Sequence, residues 1–119
     1  MKTAEMRIAK YKAKFDPEVA RIRFSAIKDL AGTQQEARQS ELADLMSQVR
    51  DILNANAVPR LFTVVYTSFA NKLYSISRVI SGSAFQTEAT QQANIWVQQG
   101  AIKDVINQIL AIFGVSPLP

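Results

Sequence analysis

Pro59-Arg60-Leu61-Phe62-Thr63-Val64-Val65-Tyr66-Thr67-Ser68-Phe69-Ala70-Asn71-Lys72-Leu73-Tyr74-Ser75-Ile76-Ser77-Arg78-Val79-Ile80-Ser81-Gly82 is the stretch on which the fold class turns. Phe62, Val65, Phe69, Leu73, Ile76 and Ile80 recur at gaps of three and four, which puts them on one face of a helix ending near Gly82. Thr63 to Thr67, however, is rich in β-branched and aromatic residues that favour strands. A hairpin turning near Ala70-Asn71 is the competing reading. Leu61, Val64 and Val79 lie off the main stripe, so a helix here has apolar residues on a second face.

Upstream, Asn54 to Pro59 reads as a break. Before it, Leu42, Leu45, Met46, Val49, Ile52 and Leu53 keep helical spacing. Thr33-Gln34-Gln35-Glu36 has the form of a capping box, in which the Thr hydroxyl and the Glu carboxylate each satisfy an orphan amide. A helix from Gln34 to Asn54 follows. Asp16-Pro17-Glu18 is a second start signal, an N-cap followed by a proline whose φ suits the first turn. Val19, Ile22, Ala26 and Leu30 then form the expected buried stripe, with Gly32 as the stop. Within residues 1–15, Ala9, Tyr11, Ala13 and Phe15 alternate with lysines as in a strand. Ile8, Tyr11 and Phe15 also fit a helix face, and the Ala/Lys/Glu/Met/Arg composition favours helix.

Downstream, Thr87-Glu88 is expected to begin a Gln-rich helix carrying Ile95 and Trp96, closed by Gly100. Ile102, Val105, Ile106, Ile109, Leu110 and Phe113 form a clean amphipathic stripe stopped by Gly114 and Pro117. These signals predict an all-α fold, a small bundle of about five or six helices in a single domain, 1–119. Residues 1–28 form its basic N-terminal segment and 114–119 a short tail. The alternative is an α+β fold of two hairpin-plus-helix halves. A faint echo fits that plan: Phe15 with Phe69, Ile22 with Ile76, Thr33 with Thr87, and Asp51-Ile52-Leu53 with Asp104-Val105-Ile106.

Composition removes much chemistry. The 119 residues include no Cys and no His, so there is no disulfide framework, thiolate nucleophile, imidazole base or Cys/His zinc site. The four glycines are far apart and build no phosphate loop. Glu36, Glu41, Asp44 and Asp51 fall on the central helix and read as a solvated outer face, because no second helix offers the matching ligands a carboxylate metal site needs. No catalytic residue, metal ligand or cofactor is nominated, and no small-molecule substrate is inferred. Absence of cysteine fits a reducing cytoplasm. No apolar run of signal-peptide type is present near Met1. Leu61 to Ile80 is apolar but holds Asn71, Lys72 and Arg78, so it reads as a core element rather than a transmembrane helix.

The net charge is +4. Residues 1–28 carry eight basic and three acidic side chains, a net +5, and the other 91 residues carry a net −1. Lys10, Lys12, Lys14, Arg21 and Arg23, interleaved with Tyr11, Phe15 and Phe24, are the candidate nucleic-acid-binding residues, since phosphates meet cations and bases stack on rings. Trp96, flanked by glutamines, is the candidate interface anchor, with Tyr66 and Tyr74 at the rim of the same surface. The expected function is a non-enzymatic structural or assembly protein: a helical subunit that meets a protein partner as a homo-oligomer or in a larger complex. Such a plan suits a virion-associated or phage assembly protein, located in the cytoplasm or the virion. A nucleic-acid-binding accessory protein is the alternative, and peripheral membrane association through the basic segment or the 61–80 stripe comes after it.

Overall fold

The computed structural model describes residues 16–28 and 34–119. Five α-helices form among them and no strand: α1 (Pro17–Lys28), α2 (Gln34–Ala55), α3 (Thr63–Ser77), α4 (Gly82–Gln98) and α5 (Lys103–Ile112). A single 3-10 turn, Arg60–Phe62, joins α2 to α3. The all-α reading therefore holds and the hairpin-plus-helix alternative falls. Strand-favouring Thr63 to Thr67 opens α3 because its residues can be satisfied there. The Thr63 hydroxyl donates to the Arg60 carbonyl at 2.9 Å and the Thr67 hydroxyl to the Thr63 carbonyl at 3.1 Å. Residues 1–15, the Thr33 half of the capping box and the Gly32 stop lie outside the described residues.

Consecutive helices pack as neighbours, α1 on α2, α2 on α3 and α3 on α4, while α5 touches all four. Its Val105, Ile106, Ile109, Leu110 and Ile112 are buried. Against them lie Leu45, Val49 and Ile52 of α2, Phe69 and Leu73 of α3, and the small Ala89 and Ala93 of α4. Full burial of one such aliphatic side chain contributes about 1.5–3 kcal/mol. Polar contacts set the register. Asn56 and Gln108 exchange side-chain amide hydrogen bonds of 2.9 and 3.0 Å between the end of α2 and the middle of α5. Residues 114–119 are not a loose tail: Val115 and Leu118 are buried, and the Leu118 N–H donates to Asn107 Oδ1 at 2.8 Å.

Three helix ends share one device. After α2 the Val58 N–H reaches the Leu53 carbonyl, after α4 the Ala101 N–H reaches that of Trp96, and after α5 the Val115 N–H reaches that of Leu110, each at 3.0 Å. This capping motif needs a left-handed residue just before the bonded amide. Gly100 and Gly114 supply it after α4 and α5, but after α2 the position is taken by Ala57, with φ 52°.

Two start-and-stop expectations need correction. Gly82 opens α4 rather than closing α3, which ends at Ser77 after Arg78 and Val79 form a turn; α4 thus begins before Thr87. On α1 the Asp16 cap forms as expected, its carboxylate accepting the Glu18 N–H at 3.0 Å. Yet Val19 and Ile22 are exposed and Ala20 faces the core. The Arg23–Asp44 contact, 2.9 Å, ties the Ala20/Arg23 side of α1 to α2 and turns Val19 and Ile22 outward. Of the internal echo, Ile22 is exposed while its match Ile76 packs against the core, whereas Asp51-Ile52-Leu53 and Asp104-Val105-Ile106 share one pattern, an exposed acid before two buried residues; Phe15 and Thr33 lie outside the described residues.

Ile109→Ala is expected to lower unfolding free energy by about 2–5 kcal/mol in urea titration, because it opens a void at the helix that all the others touch. Ala57→Gly is expected to be neutral or to stabilise by up to about 1 kcal/mol, since it relieves the left-handed strain of Ala57. A clear loss of stability in Ala57→Gly contradicts the positive-φ cap.

Candidate functional site: an apolar cleft at one end of the bundle

The end of α2, the 3-10 turn, the start of α3 and the α4–α5 connection meet at one end of the molecule. Between them lies a cleft of about 390 Å3, lined by Val58, Pro59, Phe62, Val65, Tyr66, Trp96 and the 99–102 connection. Pro59 and Gly100 break the chain here, which lets two helix ends and a helix start converge. Trp96 forms one wall and tilts against Phe69 behind it, with ring centroids 5.9 Å apart at 59°. Tyr66 forms the floor. Its hydroxyl accepts the Ile102 N–H at 3.1 Å, which ties α3 to the start of α5.

Around this cleft the surface is apolar. Leu61 is 81% exposed, Val64 65%, Ile102 52% and Phe62 50%. Water contact at side chains of this size is unfavourable, and a cluster of them beside a cleft marks a contact surface. Tyr66 is the cleft's only titratable lining side chain. Among the described residues, then, no acid–base pair lines the cleft and no three carboxylates converge on a metal site. Its chemistry is the burial of apolar surface.

A second cluster is polar and internal. Glu41, expected on a solvated face, is 2% exposed. Its Oε2 accepts the Tyr74 O–H at 2.6 Å, and Arg78 Nη1 lies 3.7 Å away. Asp44 accepts from Arg23 and from Gln48 Nε2, while Gln48 Oε1 is buried without a partner. Glu36 and Asp51 stay exposed as expected. The outer-face reading failed for Glu41 and Asp44 because their partners come from α3 and α1, distant in sequence. Burial and the hydrogen bond to Glu41 push the Tyr74 phenol up to about 12.

The candidate residues divide accordingly. Lys10, Lys12 and Lys14 lie outside the described residues. Arg21 pairs with Glu18 and Arg23 with Asp44, so both described cations of the proposed nucleic-acid set already face a carboxylate. Tyr66 and Tyr74 are 3% and 4% exposed, so they are core residues rather than a surface rim. Trp96 is half-buried and does line the cleft. Leu61 and Val64 were legible as off-stripe residues. Phe62 and Ile102 were hidden by lying at the ends of stripes that otherwise face inward.

Tyr74 is expected to ionise near pH 12 in an ultraviolet titration of the folded chain, and that component to vanish in Tyr74→Phe. The phenol is a weaker acid folded than unfolded, where it titrates near 10. Stability therefore falls, relative to Tyr74→Phe, as pH rises from about 10 towards 12. Unchanged titration in the variant removes the Glu41–Tyr74 contact from the account.

Comparison with protein-family models, with curated proteins and with solved structures gave no match.

Proposed function

We propose that this chain is a non-enzymatic assembly protein, a helical subunit that docks a protein partner at the apolar end of its bundle. One observation carries the reading: Leu61, Phe62, Val64 and Ile102 stand exposed around a cleft whose lining is apolar and aromatic. Covering such a surface is favourable in proportion to the apolar area removed from water. A virion or phage particle is the setting such a subunit suits. Of the basic N-terminal segment, Arg21 and Arg23 face Glu18 and Asp44. No helix among the described residues is long and apolar enough to cross a membrane.

Native mass spectrometry of the chain isolated from its source tests the proposal. A complex larger than one copy is expected, and Leu61→Asp is expected to weaken it about 10- to 100-fold, the effect of losing one buried leucine at an interface. Circular dichroism should stay unchanged, since Leu61 contributes little to the core. A source complex of unchanged mass in Leu61→Asp, or a lone chain in the wild type, overturns it.

A further inference from the structure

We infer that a second hollow, beside the cleft, binds an oxyanion carried on a short aliphatic chain. The inference is independent of the assembly reading above. Met46, Arg50, Leu53 and Asn54 recur at helical spacing and share one face of α2. Arg60, Thr63 and Thr67 do the same along the 3-10 turn and the start of α3. α2 and α3 pack on each other, and these residues line a hollow of about 520 Å3 together with Val58 of the connection. Val58 lines the cleft as well, so the two recesses adjoin.

The hollow is cationic and lacks a counter-charge. Among the described residues Arg21, Arg23 and Arg78 each meet a carboxylate, but neither Arg50 nor Arg60 forms an ion pair. Both are exposed, and no Asp or Glu lines the hollow beside them. Asp51, next to Arg50 in sequence, falls about 100° round the helix and takes no part in the lining. Two guanidiniums in one hollow repel each other, so an anion held by both is favoured. Their forked N–H groups take the oxygens of a carboxylate or a phosphate in parallel hydrogen bonds. Thr63 and Thr67 donate their hydroxyl protons to the Arg60 and Thr63 carbonyls, so the donors left for a ligand are the guanidiniums and the exposed Asn54 amide. The rest of the lining is aliphatic: Leu53 is buried, Met46 and Val58 are half-buried, and no aromatic side chain joins them. That surface suits a methylene chain rather than a stacked base.

Nuclear magnetic resonance titration of the nitrogen-labelled full chain with octanoate, octyl phosphate, octylammonium and acetate tests the inference. Concentrations up to about 10 mM suit the roughly millimolar dissociation constant expected of an exposed site. Octanoate and octyl phosphate are expected to shift the Arg50 and Arg60 side-chain signals and the Asn54 amide to saturation, and whichever binds more tightly names the head group. Octylammonium is expected to leave these signals in place. Acetate is expected to bind at least about tenfold more weakly than octanoate, because it has no chain to bury. Arg50→Gln and Arg60→Gln are each expected to weaken octanoate binding about tenfold, the effect of losing one charge-assisted hydrogen bond. Circular dichroism should stay unchanged, because both side chains are exposed. Octylammonium binding as well as octanoate, or arginine exchanges without effect, overturns the oxyanion site. Acetate binding as tightly as octanoate overturns the aliphatic ligand. Octanoate shifts confined to Trp96 and Ile102 overturn the site too, since they place the probe in the apolar cleft, and they leave the assembly reading untouched.

Discussion

Burial of α5 is the constraint on which the rest of the molecule depends. It is the shortest α-helix described, yet it is the one that every other helix touches. An isolated helix of ten residues does not hold its shape in water, because nucleation is unfavourable and too few turns repay it. Its stability comes from Val105, Ile106, Ile109, Leu110 and Ile112 packing on four neighbours at once. Those neighbours, in turn, have no other common surface: α1 does not touch α3 or α4, and α2 does not touch α4. Each therefore takes its position from α5 or from the helix next to it in sequence. The Asn56–Gln108 amide pair and the Asn107 contacts to Leu118 fix α5 along its own axis. Packing sets the depth of the helix, and directional hydrogen bonds set its register.

The same constraint explains the exposed end. α3 turns Tyr66, Phe69, Ala70, Leu73 and Tyr74 inward. That face is rotated from the Phe62–Val65–Phe69 stripe by the need to place the Tyr66 hydroxyl on the Ile102 amide and the Tyr74 hydroxyl on Glu41. Two polar anchors at opposite ends of one helix leave it no freedom to bury Leu61 and Val64 as well. The apolar rim is the residue of that choice, and the cleft beside it exists because Pro59 and Gly100 end the regular backbone on both sides.

Much of this architecture could be read along the chain, and the parts that could not have a common cause. α2 and α5 were legible, because their stripes are local: Leu45, Val49 and Ile52 recur within one helix, and so do Val105, Ile106 and Ile109. Helix won over hairpin at residues 63–77 because the six-residue stripe outweighs the strand preference of five residues, of which Thr63 and Thr67 bond back to the carbonyls of Arg60 and Thr63. Rotation was not legible. Val19 and Ile22 formed a plausible buried stripe, but the orientation of α1 depends on Arg23 finding Asp44, 21 residues away. Glu41 resembled its solvated neighbours until Tyr74 and Arg78 were brought beside it. Tyr66 and Tyr74 were rightly placed on one helix, yet their burial depends on α5 and α2. Of the candidate site, Trp96 and the off-stripe Leu61 and Val64 were visible in sequence. The cleft itself was not, since it is made by segments distant in sequence, 58–66 and 96–102.

Position along the chain gives the hub one more consequence. A ribosome delivers residues in order, and α5 is the last of the described helices to emerge. Until it does, α1 to α4 can make only their sequential pairings, with Leu45, Val49, Phe69 and Leu73 facing water or one another. The nascent chain thus carries an incomplete core until residues 103–112 clear the exit tunnel. During that interval the growing chain offers chaperones a target that the finished protein no longer shows.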